Sequence, residues 1–484
     1  MTQTIRRADV GLRSERGPVL LSVMLSMGLV AIDATILATA VPSIVNDLGG
    51  FQQFPWLFSI YLLTQAVSVP IYGKLSDQVG RKPVMLIGIA LFVLGSILCG
   101  FAWSMPTLIA ARAIQGLGAG AVQPTSMTIV GDLYTVAERA KVQGYLASVW
   151  AVSAVIGPTL GGVFSDFLSW RWIFFVNVPL GGLAAWMLIR RLHEGVVKKK
   201  HRIDYGGAIL LALGSSLVVL GLLEGGILWA WASLPSVTIL AGGLALLVAF
   251  SFAERRAAEP ILPGWIFHRR ILNASNAVSL AVGIMLIGLT SYIPLFVQGV
   301  LGTGALVAGF ALAALTIGWP IAAALSGRVY LRFGFRNTAL FGSVIVVAGA
   351  GLLLTLSAGT SVWQVALTCF VIGLGMGFIA SPSLVAAQSA VEWHNRGVVT
   401  GTIMFARSMG SALGIATFGA IANASLSDRV GGHLSQTAAN IDPSLLDVAM
   451  HQVFVASAIV ALGMVVAVAC LPGRNAAHSI DTTR

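Results

Sequence analysis

The chain has 484 residues, of which 57% are hydrophobic and only 10% are charged, and its formal net charge is +11. A soluble domain carries about 25% charged residues, so this composition excludes a water-soluble globular protein. It indicates a membrane protein that crosses the bilayer several times. The sequence also lacks metal-spaced His/Cys/Asp clusters, a nucleophile motif and a Gly-Lys-Ser/Thr phosphate loop, which argues against an enzyme or an ATP-driven pump.

Apolar stretches long enough to cross the hydrocarbon core, about 20 residues each, predict an all-α polytopic fold. Fourteen such spans are predicted, at residues 18–40, 54–73, 84–103, 107–130, 142–164, 173–190, 206–224, 236–253, 271–293, 305–327, 338–357, 362–385, 398–423 and 448–471. The first stretch is too long for a signal-peptide core and is predicted to be a retained helix. An even number of spans places both termini on the same side.

The basic residues predict which side that is. With the N-terminus inside, 25 of the 29 Lys and Arg residues fall in cytoplasmic segments, and only Arg171 and Arg429 fall outside. Cytoplasmic loops of membrane proteins carry such an excess, so both termini are predicted to be cytoplasmic. The same asymmetry accounts for the net positive charge, and a nucleic-acid partner is not expected.

The sequence contains an internal repeat. Arg139, Gly144, Gly157 and Gly162 recur 257 residues later as Arg396, Gly401, Gly414 and Gly419. The charged segment 73–82 likewise has an echo at 327–336. Two related six-helix bundles, at 18–191 and 271–471, are therefore predicted, with a linker carrying two extra helices at 192–270 and tails at 1–17 and 472–484. Such paired halves are typical of secondary transporters.

Three motifs carry a family resemblance. The segment Gly73–Lys82 (GKLSDQVGRK) is predicted to be a charged turn, and span 4 contains Arg112-Ala-Ile-Gln115-Gly116. Span 5 contains an element associated with exporters, formed by Gly157, Pro158, Gly161 and Gly162. These motifs resemble signatures of the major facilitator superfamily. The resemblance implies that fold, and a Gly-Pro step is expected to kink its helix.

Further segments narrow the resemblance. They are Ile32–Thr35 with Ala40–Pro42, Trp170–Pro179 and Tyr292–Gln298. Together they resemble the fourteen-span drug/proton antiporters of the QacA/EmrB type, and the likeness extends over nearly the whole chain. It implies proton-coupled drug export by alternating access, with the proton gradient as energy source and no cofactor.

Charges within the membrane are candidate functional groups because they are costly there. Asp33 in span 1 and Arg112 in span 4 lie at comparable depth and could be close. Burial would raise the pKa of Asp33 and a neighbouring Arg would lower it. We therefore expect Asp33 to be the protonation site, able to face a cationic substrate, with Arg112 setting its pKa. A permanent ion pair that only positions helices is the alternative.

The roles of two other charged residues are left open by the sequence. Arg407 in span 13 has no evident acidic partner in the second half, and either binds a substrate headgroup, Asp33 or backbone carbonyls, or serves packing. Glu224, at the outer end of span 7, is more typical of an interfacial residue than of a proton carrier. No histidine is placed deep in a span, so a histidine proton relay is not expected.

The resemblance also implies a cytoplasmic latch. Its expected members are Gly73, Asp77, Gly80, Arg81, Lys82 and Asp132. In the family the Asp faces the N-terminus of a helix from the other half, where the helix dipole favours a carboxylate. We expect Asp77, Arg81 and Asp132 to stabilise the outward-open state. The echo at 327–336 lacks an Asp, so no symmetrical latch is expected.

The cargo is predicted only by class. One acid in the cavity suits lipophilic monocations or neutral amphiphiles, and aromatic and Met side chains would supply adaptable contacts. The candidate lining residues are Tyr61, Gln65, Gln115, Gln123, Trp150, Tyr292, Trp319, Met404 and Phe405. Each of these could equally serve helix packing.

The expected setting is the bacterial inner membrane, with protons, the lipid bilayer and a small lipophilic substrate as partners. Whether a periplasmic adaptor exists stays open. An exporter of an endogenous lipid, siderophore or metabolite on the same fold is the alternative function, because one fold hosts many cargoes.

Overall fold

The computed structural model describes residues 10–49, 56–192, 194, 204–225, 229–257, 260–430 and 443–473. Some helical residues, including Pro158, Gly162 and Glu224, are described only as backbone. Every regular element in these ranges is helical and no strand occurs among them. The all-α prediction is confirmed.

The N-terminal part of the chain forms seven helices. They are α1 (Gly17–Leu48), α2 (Trp56–Val79), α3 (Arg81–Gly100), α4 (Met105–Leu133), α5 (Val136–Phe167), the four-residue α6 (Trp172–Phe175) and α7 (Asn177–Arg191). Capping boxes at Ser104 and Thr135 begin α4 and α5, because each hydroxyl and its partner three residues on satisfy backbone groups that the helix leaves free.

The remaining helices follow in the same way. They are α8 (Tyr205–Glu224), α9 (Leu234–Glu254), the four-residue α10 (Trp265–His268), α11 (Arg270–Gly299), α12 (Ala305–Phe333), α13 (Phe335–Leu353), α14 (Val362–Ser389), α15 (Arg396–Val430) and α16 (Pro443–Ala469). A short 3₁₀ turn, Trp393–Asn395, precedes α15.

Two compact units make up the chain. The first comprises Met1–Ser216, Gly243–Ile266 and Val391–Phe405, and the second comprises Leu217–Gly242, Phe267–Ala390 and Ala406–Arg484. The helix α15 therefore contributes its beginning to the first unit and its remainder to the second. The helices α8 and α9 are likewise each divided between the two units.

Fewer helices qualify as membrane spans by length and hydropathy than the sequence predicted. Each predicted span falls on a helix, but among the described residues eleven helices are long and apolar enough to cross a membrane. The apolar stretch of α8, Gly206–Leu222, is shorter. The helices α4 and α5 are long enough, but their buried faces carry small and polar residues. The chain is thus a multi-pass membrane protein, and the count of fourteen is not confirmed.

The segment predicted as a charged turn is mostly helical. The helix α2 continues through Gly73 and Asp77 to Val79, and α3 begins at Arg81. Only Gly80 separates them, with φ at +102°, and Gly334 separates α12 from α13 with φ at +86°. Such backbone angles favour glycine. A single glycine therefore makes the reversal in both repeats, where the apolar pattern suggested a ten-residue turn.

Close helix packing follows the repeat as well. Gly88 and Gly118 meet where α3 crosses α4, and a Cβ on Gly118 would lie 2.6 Å from the Gly88 carbonyl oxygen. Gly342 and Gly375 make the same contact between α13 and α14, where the corresponding distance is 2.7 Å. Small residues let membrane helices approach to backbone contact. The repeat is therefore a repeat of helix crossings.

Replacing Gly375 with Ala should destabilise the second unit. The new methyl group would meet backbone atoms of α13, including the Val346 nitrogen at 2.7 Å, and such overpacking costs about 1–3 kcal/mol. The matched control is Gly351→Ala on α13, where a Cβ meets nothing within 4 Å. Thermal unfolding of the purified protein should show a lower Tm for Gly375→Ala alone. Equal Tm values for the two variants would contradict the packing account.

Candidate functional site

The two membrane charges singled out in the first half of the sequence form a buried ion pair. Arg112 Nη1 of α4 lies 2.6 Å from Asp33 Oδ2 of α1, and the two side chains are 2% and 1% exposed. Asp33 lies at the middle of α1, which extends beyond the predicted span. The structure thus brings together the two residues that the sequence suggested could be close.

Three uncharged polar side chains complete the surroundings of this pair. Gln115 Nε2 donates to Asp33 Oδ1 at 2.8 Å and to Ser96 Oγ at 2.7 Å. Asn177 Nδ2 donates to the same two acceptors, at 3.3 and 3.0 Å. Both Asp33 oxygens therefore accept hydrogen bonds, in a site built by α1, α3, α4 and α7 of the first unit. We call these five residues the polar cluster: Asp33, Ser96, Arg112, Gln115 and Asn177.

The Arg112 guanidinium has several partners besides Asp33. Its Nη1 also donates to Gln115 Oε1 at 2.6 Å, and its Nε donates to the Leu57 carbonyl oxygen at 3.1 Å. The ring of Tyr61 lies 4.2 Å from the guanidinium carbon, a cation–π distance. A buried cation is tolerated when it is paired and hydrogen-bonded in this way.

This placement corrects two expectations about the substrate cavity. Tyr61 and Gln115 were expected to line it, but they are 3% and 0% exposed and contact Arg112 instead. Asp33, 1% exposed, is enclosed by the polar cluster and does not face a cationic substrate here. The physical reason is that the amide oxygen of Gln115 and the ring face of Tyr61 help to offset the desolvation of Arg112.

The polar cluster can respond to a proton. Protonating Asp33 would remove the counter-charge of Arg112 and leave the cation buried and unpaired, which is strongly unfavourable. Two buried atoms nearby, Asn177 Oδ1 and Tyr61 Oη, have no hydrogen-bond partner among the described residues. They are acceptors available to a rearranged network.

Sequence reasoning missed Ser96 and Asn177. Asn177 lies within the segment Trp170–Pro179 that was used for the family resemblance, but no role was assigned to it. Ser96 is the one hydroxyl in the apolar sequence of α3. A lone polar residue inside an apolar span is the signal that could have identified it.

A second charged cluster holds the beginning of α15. Asp77 Oδ1 accepts from the Gly397 N–H at 2.9 Å, and Asp77 Oδ2 accepts from the Val398 N–H at 2.7 Å. These amides lie in the first turn of α15, where N–H groups have no partner within the helix. The carboxylate thus caps α15 from another helix, and the positive end of the helix dipole favours its charge.

Arg81 joins this cap to the end of α4. It contacts Asp77 Oδ1 at 2.8 Å and Asp132 Oδ2 at 2.9 Å. It also donates to the Ser76 and Trp393 carbonyl oxygens, and its guanidinium carbon lies 4.0 Å from the centre of the Trp393 ring. Arg81 is 1% exposed, whereas its partner Asp132 is 11% exposed, so the guanidinium is enclosed but the network reaches the surface.

Three further residues complete the latch network. Arg396 Nη1 contacts Asp132 Oδ1 at 3.2 Å. Glu194 accepts from the Arg81 and Lys82 backbone N–H groups at 2.7 and 3.0 Å and so caps α3. Lys82 Nζ in turn donates to the last carbonyls of α7. Glu194 and Arg396 were not identified as latch residues from the sequence, because their partners are more than 100 positions away.

Gly73 permits the close approach of α2 and α15. A Cβ at this position would lie 2.8 Å from the Gly397 carbonyl oxygen and 3.1 Å from the Gly401 Cα. All these residues belong to the first unit, because that unit includes Val391–Phe405. The expected latch residues are therefore brought together, with Gly80 making the reversal between α2 and α3.

The exporter-associated element lies on a continuous helix that packs on α1. The helix α5 runs without interruption from Val136 to Phe167. Thr35 Oγ1 donates to the Ser153 carbonyl oxygen at 3.0 Å, and the same Thr35 lies against Gly157. Gly161 is buried, whereas Pro158 and Gly162 are described only as backbone. Gly157 thus sets how closely α1 and α5 approach.

The other expected cavity residues are distributed over both units. In the first unit, Gln65 Nε2 donates to Gln123 Oε1 at 3.0 Å, and Trp150 is 37% exposed while Met404 is only 7% exposed. Phe405 is half-buried. In the second unit, the Tyr292 ring packs edge-on against Phe418 at 6.2 Å, and Trp319 lies near Arg407. The side chain of Glu224 lies outside the described residues.

Separating the buried ion pair should show strong energetic coupling. Asp33→Asn and Arg112→Gln should each cost about 3–5 kcal/mol, because each leaves a buried charge unpaired, and the double variant should lose less than the sum. The measurement is the free energy of unfolding of the four proteins. The matched control is Asp47 and Arg171, whose side chains are 46% and 33% exposed although their atoms are also 2.6 Å apart. That pair should couple by at most about 1 kcal/mol, and equal coupling in both pairs would refute the argument.

The cap on α15 should be visible in hydrogen exchange. In Asp77→Ala the amides of Gly397 and Val398 lose their acceptor, and losing such a cap costs about 1–2 kcal/mol, or roughly tenfold in exchange rate. Mass spectrometry of peptides covering 391–405 measures this directly. Asp47→Ala, on α1, should leave these peptides unchanged. Unaltered exchange in Asp77→Ala would mean that the carboxylate does not hold the helix.

Comparison with known proteins gives the family. The sequence model of the Major Facilitator Superfamily matches residues 23–415. Multidrug resistance protein 3 of Bacillus subtilis (strain 168) is 37% identical over 406 residues, covering 83% of this chain and 79% of that protein. Multidrug transporter protein MdtP of the same organism is 34% identical over 420 residues, covering 87% and 78%. Efflux pump dotC of Dothistroma septosporum (strain NZE10 / CBS 128990) is 30% identical over 404 residues, covering 82% and 70%.

A solved structure supports the same fold. The human organic anion transporter MFSD10 (TETRAN) aligns with a TM-score of 0.64 over 92% of this chain and 99% of that one, at 16% identity. At this identity the likeness concerns the fold alone. Together with the match over residues 23–415, these findings show that the chain belongs to the major facilitator superfamily and is a membrane transporter rather than an enzyme.

Proposed function

We propose that this protein is a secondary active transporter that exports lipophilic drugs in exchange for protons, as a fourteen-span antiporter of the QacA/EmrB type. Two bacterial relatives that match more than 80% of the chain are named for multidrug resistance or transport, and a fungal relative is named an efflux pump. These names support drugs as the class of cargo that the protein exports. An endogenous cargo is left as an outcome of the test below.

Proton coupling rests on one observation, the enclosed Asp33–Arg112 pair. A carboxylate that is 1% exposed and 2.6 Å from a guanidinium is stable as a charged pair. A proton arriving from outside would discharge it and favour separation of α1 from α4, and losing the proton would restore the pair. Since only a ligand that prefers one state can shift an equilibrium, the proton would drive one conformational step of each transport cycle.

The latch supplies the second half of this proposal. Asp77, Arg81 and Asp132 hold the beginning of α15, and we propose that they stabilise the outward-open state until the proton is bound. We also propose that both termini are cytoplasmic and that the protein resides in the bacterial inner membrane, as the distribution of basic residues favours. The energy source is the proton gradient, without a cofactor, and any periplasmic adaptor is left open.

The charge of the cargo needs a separate argument. The sequence favoured cationic or neutral compounds because Asp33 was expected to face the substrate. Asp33 is instead occupied by Arg112, Gln115 and Asn177. Other side chains must therefore select the charge of the cargo.

Ethidium efflux tests the proposed function. Purified protein in vesicles with an imposed proton gradient should move ethidium, and Asp33→Asn should reduce this to the level of protein-free vesicles, because the neutral side chain cannot cycle its charge. Asp47→Asn is the matched control on the same helix, since Asp47 is exposed and its Arg171 partner holds its pKa below the usual range. It should transport normally.

Each result decides a different part of the proposal. Gradient-driven efflux that survives in Asp33→Asn would move the proton site elsewhere. Absence of ethidium efflux from well-folded wild-type protein would reject this drug class and favour an endogenous cargo. Efflux that does not respond to the gradient would reject proton coupling.

A further inference from the structure

A second membrane arginine lacks the partners that the first one has. Arg407 lies eleven residues after the start of α15, about 16 Å along the helix at 1.5 Å per residue. Its side chain is half-buried, and its buried Nε atom has no hydrogen-bond partner among the described residues. Its one contact of note is the Trp319 ring, 5.8 Å from the guanidinium carbon.

Arg112 has the partners that Arg407 lacks. Arg112 has a carboxylate, an amide oxygen, a backbone carbonyl and a ring face at 2.6 to 4.2 Å. Both arginines lie in membrane helices, where an unsatisfied charge is costly. Arg407 therefore has a binding capacity that the described protein does not use.

Acidic residues are scarce around Arg407 in the sequence of the second unit. The sequence from Phe267 to Ala390 contains no Asp or Glu. On α15 itself the next acid is Asp428, 21 residues further along, which corresponds to about 30 Å. Asp447 lies in the first turns of α16, at the start of a different helix. Glu224 also belongs to this unit, but its side chain lies outside the described residues. Among the side chains that the structure describes, no acid forms an ion pair with Arg407.

The positive charge of Arg407 is not repeated at the corresponding position of the first half of the chain. By the repeat offset of 257, Arg407 corresponds to Trp150, and by the offset of 254 found for Gly88 and Gly342, Trp319 corresponds to Gln65. At these two positions the sequence of the first unit has uncharged side chains. The positive charge is a special feature of the second unit.

We propose that Arg407 and Trp319 form a binding site for cargo that carries a carboxylate on an aromatic body, whether anionic or zwitterionic. The inference rests on the proposed transport function and names its substrate class. The planar guanidinium matches a carboxylate with two parallel hydrogen bonds, and the Trp319 ring offers an apolar face to the aromatic part. Binding would neutralise the unpaired charge, so the cargo would supply what the protein lacks.

Two pyrene compounds that differ only in their head group test this proposal. They are 1-pyrenebutyrate and the neutral 1-pyrenebutanol, each titrated against the full-length purified protein while the ligand-induced rise in Tm is followed. In Arg407→Gln the affinity for pyrenebutyrate should fall at least about tenfold, the size expected for a charged hydrogen-bonded pair. The affinity for pyrenebutanol should stay within about twofold. Arg255→Gln, at an exposed arginine of the loop after α9, is the matched control and should change neither.

The Tm of Arg407→Gln without ligand distinguishes a binding role of Arg407 from a packing role. Without ligand, Arg407→Gln should have a Tm equal to or above that of the wild type, because an unpaired charge is removed. A clear decrease in Tm would overturn the proposal in favour of a packing role. Arg407→Lys, which keeps the charge but not the planar fork, should still lose affinity for pyrenebutyrate relative to pyrenebutanol.

The outcomes separate this inference from the proposed function. Unchanged pyrenebutyrate affinity in Arg407→Gln, or an equal loss for both pyrene compounds, overturns the carboxylate site whatever ethidium efflux shows. A selective loss for pyrenebutyrate supports it, even if Asp33→Asn leaves ethidium efflux intact and the proton site proves to lie elsewhere.

Discussion

A charge that is removed from water must find its counter-charge and hydrogen bonds within reach, and the arrangement of the first unit depends on this constraint. Arg112 and Arg81 are each about 1% exposed, and each has a carboxylate within 3 Å, backbone carbonyls and an aromatic face. Meeting these demands fixes α1 against α4 at one level and α2 against α4 at another. Truncating one partner of such a network leaves a bare buried charge, so each partner is needed where the other is present.

Carboxylates also organise the helix ends. Asp77 satisfies the first amides of α15, and Glu194 does the same for α3. Each acid comes from a different part of the chain, so each cap is a tertiary contact as well as an end of secondary structure. The helix α15 carries the capped amides at 397–398 and Arg407 less than three turns later. The proposed latch and the proposed carboxylate site therefore both include residues of the helix α15.

The internal repeat preserves packing and not chemistry. Glycine contacts such as Gly88–Gly118 have counterparts in Gly342–Gly375, because two helices can cross at this distance only without side chains. At the positions that correspond to Ser96, Arg112 and Gln115, the second unit has Ala350, Cys369 and Ile372. It has instead Arg407, which forms no ion pair with the acids whose side chains are described. The two units thus share a scaffold, while the first carries a neutralised charge pair and the second an unpaired cation, which is consistent with separate roles for proton and cargo.

Much of this could be predicted from the sequence because it depends on local composition and spacing. Apolar length identified the helical class and the approximate spans, the offset of 257 identified the repeat, and the scarcity of membrane charges identified Asp33, Arg112 and Arg407. The sequence did not reveal that Gly73–Val79 is helical, that Tyr61 and Gln115 contact Arg112, or that Ser96, Asn177 and Glu194 complete the networks. These facts depend on how each helix is rotated about its axis and which distant backbone groups it meets. An apolar stretch specifies that a helix forms, whereas the partner of a buried polar group is decided only by the packing of all helices around it.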